Sequence, residues 1–170
     1  VYEECTNDGR FYHFMKENCK RLNYCQCMAE FESGFLTITG GPNIGILNLN
    51  SGSINSFPLS SNNISISGRI RDIVQDQNRN YWIALSNNGI IKIDYTNLNY
   101  TKIDAGNSGL SDNKVYSFLE KDDILWIGTN TGINLYSMTE KKIIKQYFVE
   151  DGLANNIVYS IYEDAKGKIW

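Results

Sequence analysis

"VYSFLEKDDILWIGTNTGINLY", Val115 to Tyr136, reads as short strands joined by tight turns. A near copy, "VYSIYEDAKGKIW", begins at Val158, and an earlier one, "IRDIVQDQNRNYW", begins at Ile70. A fainter version is "CQCMAEFESGFLT", with Cys25, Met28 and Thr37 in the matching places. The three strong copies end on Trp82, Trp126 and Trp170, spaced at intervals of 44 residues. A period of roughly 40–50 residues marks either a propeller blade or a helical repeat.

The local pattern decides between them. Each copy pairs two apolar residues three apart (Ile70 and Ile73, Val115 and Phe118, Val158 and Ile161) and then meets a polar turn. After the tryptophan position come glycine turns, "ALSNNG" ending at Gly89, "GTNTG" ending at Gly132 and, more loosely, "TGGPNIG" ending at Gly45. Apolar strands follow ("IIKID", "INLY", "ILNLN"), then a last strand ("NYTKID", "KIIKQYF", "SINSFPL"). Each unit therefore holds four strands, a to d, with no room for a helix. Helical repeats need long faces of period 3.6, and Gly, Asn and β-branched residues interrupt every candidate. The predicted fold is all-β: a partial β-propeller of four-stranded antiparallel blades with a repeat of about 44 residues. Its expected divisions are the end of one blade over 1–22, blades over 23–59, 68–105 and 113–149, and the start of the next over 156–170. Such a piece of a larger propeller is expected to self-associate through exposed blade edges.

Composition fits a globular domain: 170 residues, 42% apolar and 21% charged. A net charge of -3 argues against a nucleic-acid partner. No apolar run approaches the ~18 residues of a membrane span, so a membrane enters only through a parent protein. The chain begins at Val1, and the absence of a leader is silent on location. The four cysteines, Cys5, Cys19, Cys25 and Cys27, permit two disulfides, but Cys25 and Cys27 share one strand face, where a bridge is strained. With His13 the sole imidazole, free or buried thiols are the simpler reading, and no metal or cofactor is expected.

"GLSDNKVYSFLEKDDILWIGTNTGINLY" (Gly109 to Tyr136) resembles the two-component regulator propeller repeat, and "DGLANNIVYSIYEDAKGKIW" (Asp151 to Trp170) is similar to it. That repeat runs roughly Gly-Leu-Ser-x-Asn-x-Val, Ser-Ile-x-x-Asp, Leu-Trp-Ile-Gly-Thr and Gly-Leu-x-x-Tyr. Residues 68–95 depart from it, with "WIAL" for Trp-Ile-Gly-Thr, and 1–57 match only in pattern. The resemblance implies the extracytoplasmic, periplasmic or cell-surface sensor part of a bacterial membrane receptor, whose output is a histidine kinase or a diguanylate cyclase. It implies a carbohydrate or similar nutrient as ligand and no enzyme activity in these residues.

The repeated tryptophans are expected to pack between blades, each burying about 150–250 Å². Gly109, Gly132 and Gly152 are expected at positive φ, and Asn113 and Asn156 to bond neighbouring backbone. The loops between strands d and a and between b and c share one propeller face. Candidate ligand contacts there are Asn87, Asn88, Ser111, Asp112, Asn113, Asn130, Thr131, Asn155 and Asn156. No catalytic residue is expected: Asp122 and Asp123 are turn neighbours that do not converge on one atom. Tyr116 and Tyr159 repeat for structural reasons, and Arg69 and Arg71 are too few for a nucleic-acid patch. The sequons at Asn63 and Asn99 are frequent by chance. Two rival readings stand. One is an enzyme similar to the propeller lyases acting on streptogramin antibiotics, which use His and acidic residues around a metal. The other is a protein-interaction platform.

Overall fold

The computed structural model describes residues 69–94, 96–97 and 99–170 and, before them, the backbone of four strands. The chain divides into two compact units, 1–65 and 66–170. In the first, β1 (Cys27–Phe31), β2 (Phe35–Gly40), β3 (Asn43–Asn48) and β4 (Ile54–Pro58) form one antiparallel sheet in the order β1-β2-β3-β4. Gly40 pairs with Asn43, so the chain reverses before Gly45, which lies inside β3 opposite Ile38. The partial blade expected over 1–22, Cys5, Cys19, Cys25, the Cys27 side chain, His13 and Asn63 lie outside the described residues.

The second unit holds β5 (Ile70–Gln75), β6 (Tyr81–Leu85), β7 (Gly89–Ile93) and β8 (Tyr100–Ile103), then β9 (Val115–Lys121), β10 (Ile124–Thr129), β11 (Gly132–Ser137) and β12 (Lys142–Tyr147). Each set of four forms its own antiparallel meander. The one helical turn among the described residues is the short 3-10 element Val149–Asp151.

Alternation places side chains by turns on the two faces of each sheet. Ile73, Ile83 and Ile91 align across β5, β6 and β7 and are buried on one face. On the other face Trp82, Ala84, Ile90 and Ile103 pack with Phe118, Leu125, Ile127 and Tyr136 of the next sheet. All five residues of β6 are buried, which explains its unbroken apolar run.

Trp82 is fully buried and meets the Tyr136 ring edge-on at 5.1 Å across the seam. Its indole N–H donates to Asp76 Oδ2 at 2.9 Å. Asp76 also accepts the amides of Asn78 and Asn80 and the Asn80 side chain, so the turn is organised round one buried carboxylate. Asp164 repeats the device with Lys166, Lys168 and the Trp170 indole. The β9–β10 turn differs: Asp122 and Asp123 have φ of 52° and 63°, the two-residue reversal favoured in hairpins.

Trp82 and Trp126 are not equivalent, whereas the repeat predicts the same packing role for both. Trp126 is half-buried and lies nearly parallel to Tyr147 of its own sheet, at 6.4 Å and 8°. Residues 156–170 meet the β9–β12 sheet through Tyr116 and Lys121 of β9, Gly128 and Thr129 of β10 and Gly132 of β11. That segment closes a narrow hairpin with one bridge, Glu163 to Ile169, and not two regular strands.

Candidate functional site

Strand a of each blade in the second unit opens with a bulge. Ile70 pairs with Leu85 and Asp72 with Ala84, so Arg71 is the extra residue. Val115 pairs with Thr129 and Ser117 with Gly128, which singles out Tyr116 in the same way. A bulge frees one side chain from the ladder and re-aims it. Here both freed side chains line one cleft of about 500 Å³, open to solvent, with Arg69, Ser86, Asn87 and Lys114.

Arg71 lies over the Tyr116 ring, 5.7 Å from its centroid, and Tyr116 meets Tyr159 at 4.9 Å. Arg71, Tyr116 and Tyr159 occupy one position in three successive copies. They form a ladder of flat groups running from blade to blade, with 69% of Tyr159 exposed. The Tyr116 hydroxyl faces Asn130 Oδ1 at 3.4 Å. Ser86 braces the floor: its hydroxyl accepts the Arg69 amide at 3.0 Å, and its own amide donates to the Arg69 carbonyl at 2.9 Å.

The loops carrying the other predicted contacts are knitted to themselves. Asn113 Oδ1 accepts the Ala105 amide and Asn156 Oδ1 the Val149 amide, each at 2.8 Å. Their carbonyls accept Gly89 N–H at 2.8 Å and Gly132 N–H at 2.6 Å, tying each b–c turn to the following blade. These glycines have φ of 74° and 115°, and a Cβ on either would lie 2.4 Å from a carbonyl oxygen, of Ile103 or Tyr147. Ser111 bonds Thr129 and the buried Asn134, and Thr131 bonds the Ser111 carbonyl. Asp112 accepts the Lys114 amide and faces Asn130, while Asn155 accepts the Ile157 amide. Asn88 is half-buried and has a partner. Of the nine predicted residues, Asn87 alone lines the cleft.

Arg69, Arg71, Lys114 and Tyr116 lie outside the predicted set. A readable signal existed: the second residue of strand a is polar or aromatic and directly follows a buried aliphatic residue, Ile70 or Val115. Beneath the cleft Asp72 is turned away, accepting the Ile73 amide at 2.8 Å and, across the seam, the Phe118 amide at 2.7 Å. Burial pushes its carboxyl above the ordinary value, against the lowering by those two amides.

Comparison with known proteins places the repeat. The two-component regulator propeller profile matches residues 109–131 and 152–170, so these stretches are copies of that repeat. Over 118 residues the chain is 32% identical to histidine kinase P4 of Formosa agariphila, spanning 64% of the chain and 9% of that kinase. The extracellular domain of a hybrid two-component system from B. thetaiotaomicron superposes with a TM-score of 0.65 at 21% identity, over 88% of this chain and 19% of that one. Virginiamycin B lyase from Staphylococcus aureus gives 0.66 at 18% identity, over 89% and 50%. These likenesses establish a β-propeller fold.

Proposed function

We propose that the chain is a ligand-sensing module of a bacterial two-component receptor, held outside the cytoplasm and binding a carbohydrate or similar small nutrient without turnover. The observation that carries this is the cleft itself. Bulges on two successive blades aim Arg71 and Tyr116 into one open volume bordered by Asn87 and Ser86. A volume of about 500 Å³ lies within the usual ~300–1,000 Å³ of small-molecule sites. Aromatic faces and side-chain donors at its rim suit a polyol ring. Because the site draws on two blades, its ligand bridges them beside their existing packing and hydrogen bonds, which gives binding a route to altering blade geometry. The kinship of residues 109–131 and 152–170 with regulator propellers, and the kinase to which the chain is similar, support the receptor setting. No helix among the described residues is long and apolar enough to cross a membrane, so in this reading the anchor lies in the parent receptor.

A thermal-shift screen of the full chain against a library of mono- and oligosaccharides tests the proposal, with chromatography of each hit after incubation. The expected result is at least one saccharide that raises the melting temperature, by mass action, and returns chemically unaltered. A hit consumed by the chain overturns the non-enzymatic reading. A library without any hit overturns sensing of carbohydrates.

A further inference from the structure

The charge of the cleft is at odds with the charge of the chain. Overall the protein is acidic, with a net charge of -3. Yet the six lining residues are Arg69, Arg71, Ser86, Asn87, Lys114 and Tyr116, three cations and no carboxylate. Elsewhere in the unit four lysines sit against acids, Lys92 with Asp76, Lys102 with Asp104, Lys121 with Glu163 and Lys142 with Glu140, while Lys145 and Lys168 lie over the rings of Tyr147 and Trp170. What sets the cleft apart is that three cations from two blades gather at one mouth. The three at the cleft have no ion pair among the described residues. Asp72 and Asp112, adjacent in sequence to Arg71 and close to Lys114, accept the Phe118 and Lys114 amides and do not line the cleft.

Two further features make this a built site. Arg71 sits in the ladder only as a bulge, so its guanidinium is placed by the Tyr116 ring beneath it. Arg69 and Lys114 come from consecutive blades, about one repeat apart in sequence, so their meeting depends on the seam. Like charges gathered at one mouth repel one another and raise the local potential, which an incoming anion relieves. Guanidinium forks match planar oxyanions in two-point contact, and an ammonium adds a mobile third point.

We infer that this cleft selects an acidic saccharide: a carboxylate or sulfate group engages Arg69, Arg71 and Lys114 while the attached ring lies on Tyr116 and reaches toward Tyr159. The inference rests on the sensing reading and narrows it to a ligand class. Charge-assisted hydrogen bonds are worth about 1.5–3 kcal/mol, so the acidic group should tighten binding by about ten- to a hundredfold over the neutral sugar.

Calorimetric titration of the full chain with galacturonate, galactose 6-sulfate, galactose and inorganic sulfate provides the test, each at low and high salt. Expected are binding of one or both acidic sugars, weakening with salt, and galactose weaker by that factor. The double variant Arg71→Gln/Lys114→Gln should erase the preference while keeping the parent melting temperature, and Arg71→Lys should retain part of it. Should the double variant not fold, the salt dependence and the sugar comparison on the parent chain decide. Galactose bound as tightly as both acidic sugars, or a preference that survives the double variant in a folded protein, overturns the inference. Inorganic sulfate bound as tightly as the sulfated sugar overturns the role of the ring. A neutral hit from the saccharide library, with no heat from either acid, sinks this inference and leaves sensing standing; a library with no hit at all sinks both.

Discussion

Two seams of the second unit are built from the same repeat positions and held by different means. Where the β5–β8 sheet meets the β9–β12 sheet, Asp72 clamps the Phe118 amide, Trp82 is buried against Tyr136, and Ala84 joins the shared core. Where the β9–β12 sheet meets residues 156–170, the counterpart of Asp72 is Ser117, whose buried hydroxyl finds no partner among the described residues. The counterpart of Trp82 is the half-buried Trp126, and that of Ala84 is Gly128. Both seams keep the backbone tie from a turn glycine to an asparagine carbonyl. The second adds an ion pair of Lys121 with Glu163 at 2.6 Å, partly exposed and therefore of small net value. The lesson is that the repeat specifies where blades touch through its backbone, while side chains decide how firmly.

The tryptophans are the sharpest way to break this comparison. Trp82→Ala should cost about 3–5 kcal/mol in denaturant unfolding, and Trp126→Ala less than about 3 kcal/mol, because part of that ring already meets water. Equal losses would erase the distinction between the seams. Next comes the clamp: Asp72→Ala strands the Phe118 amide and should cost about 1–3 kcal/mol, whereas Asp72→Asn keeps an acceptor and should stay within about 1 kcal/mol. The folded protein holds the Asp72 proton more tightly than the unfolded chain does. Its contribution is therefore complete below the ordinary carboxylate value and declines as pH rises through the raised one, a slope that melting curves of Asp72→Asn should lack.

Gly128→Ala probes the second seam. An added Cβ would lie 2.6 Å from Ser117 Oγ and 2.8 Å from the Val158 carbonyl oxygen, so residues 156–170 must shift. A loss of about 1–3 kcal/mol is expected, read as earlier exposure of that segment in hydrogen exchange. The smallest effect belongs to Ser117→Ala, which removes an unsatisfied buried hydroxyl and should stabilise by up to about 1 kcal/mol in the same unfolding assay. A loss instead would mean that the hydroxyl has a partner.

Much of the architecture was legible. The 44-residue spacing of the tryptophans and the glycine turns point to four-stranded blades, and the sheets form where apolar runs alternate with turns. Gly109, Gly132 and Gly152 do adopt positive φ, and Asn113 and Asn156 do bond neighbouring backbone. These are local properties, set within a few residues. The cleft was not legible in the same way. Asn and Ser in the loops look like ligand contacts because they are polar, yet their hydrogen bonds are taken up in holding the turns. Lys114 meets Arg69 and Arg71 only after two sheets dock, and the bulges that release Arg71 and Tyr116 depend on register, which composition does not encode.

The position shared by Arg71, Tyr116 and Tyr159 is excused from the packing that constrains its neighbours. Ile70 and Val115 are locked into the interior, but the residue after each can change with little penalty to the scaffold. Each module thus contributes one interchangeable side chain to a row along the cleft. Under the sensing role proposed above, recognition would be rewritten there by single substitutions, one blade at a time, while the repeat that carries them stays as it is.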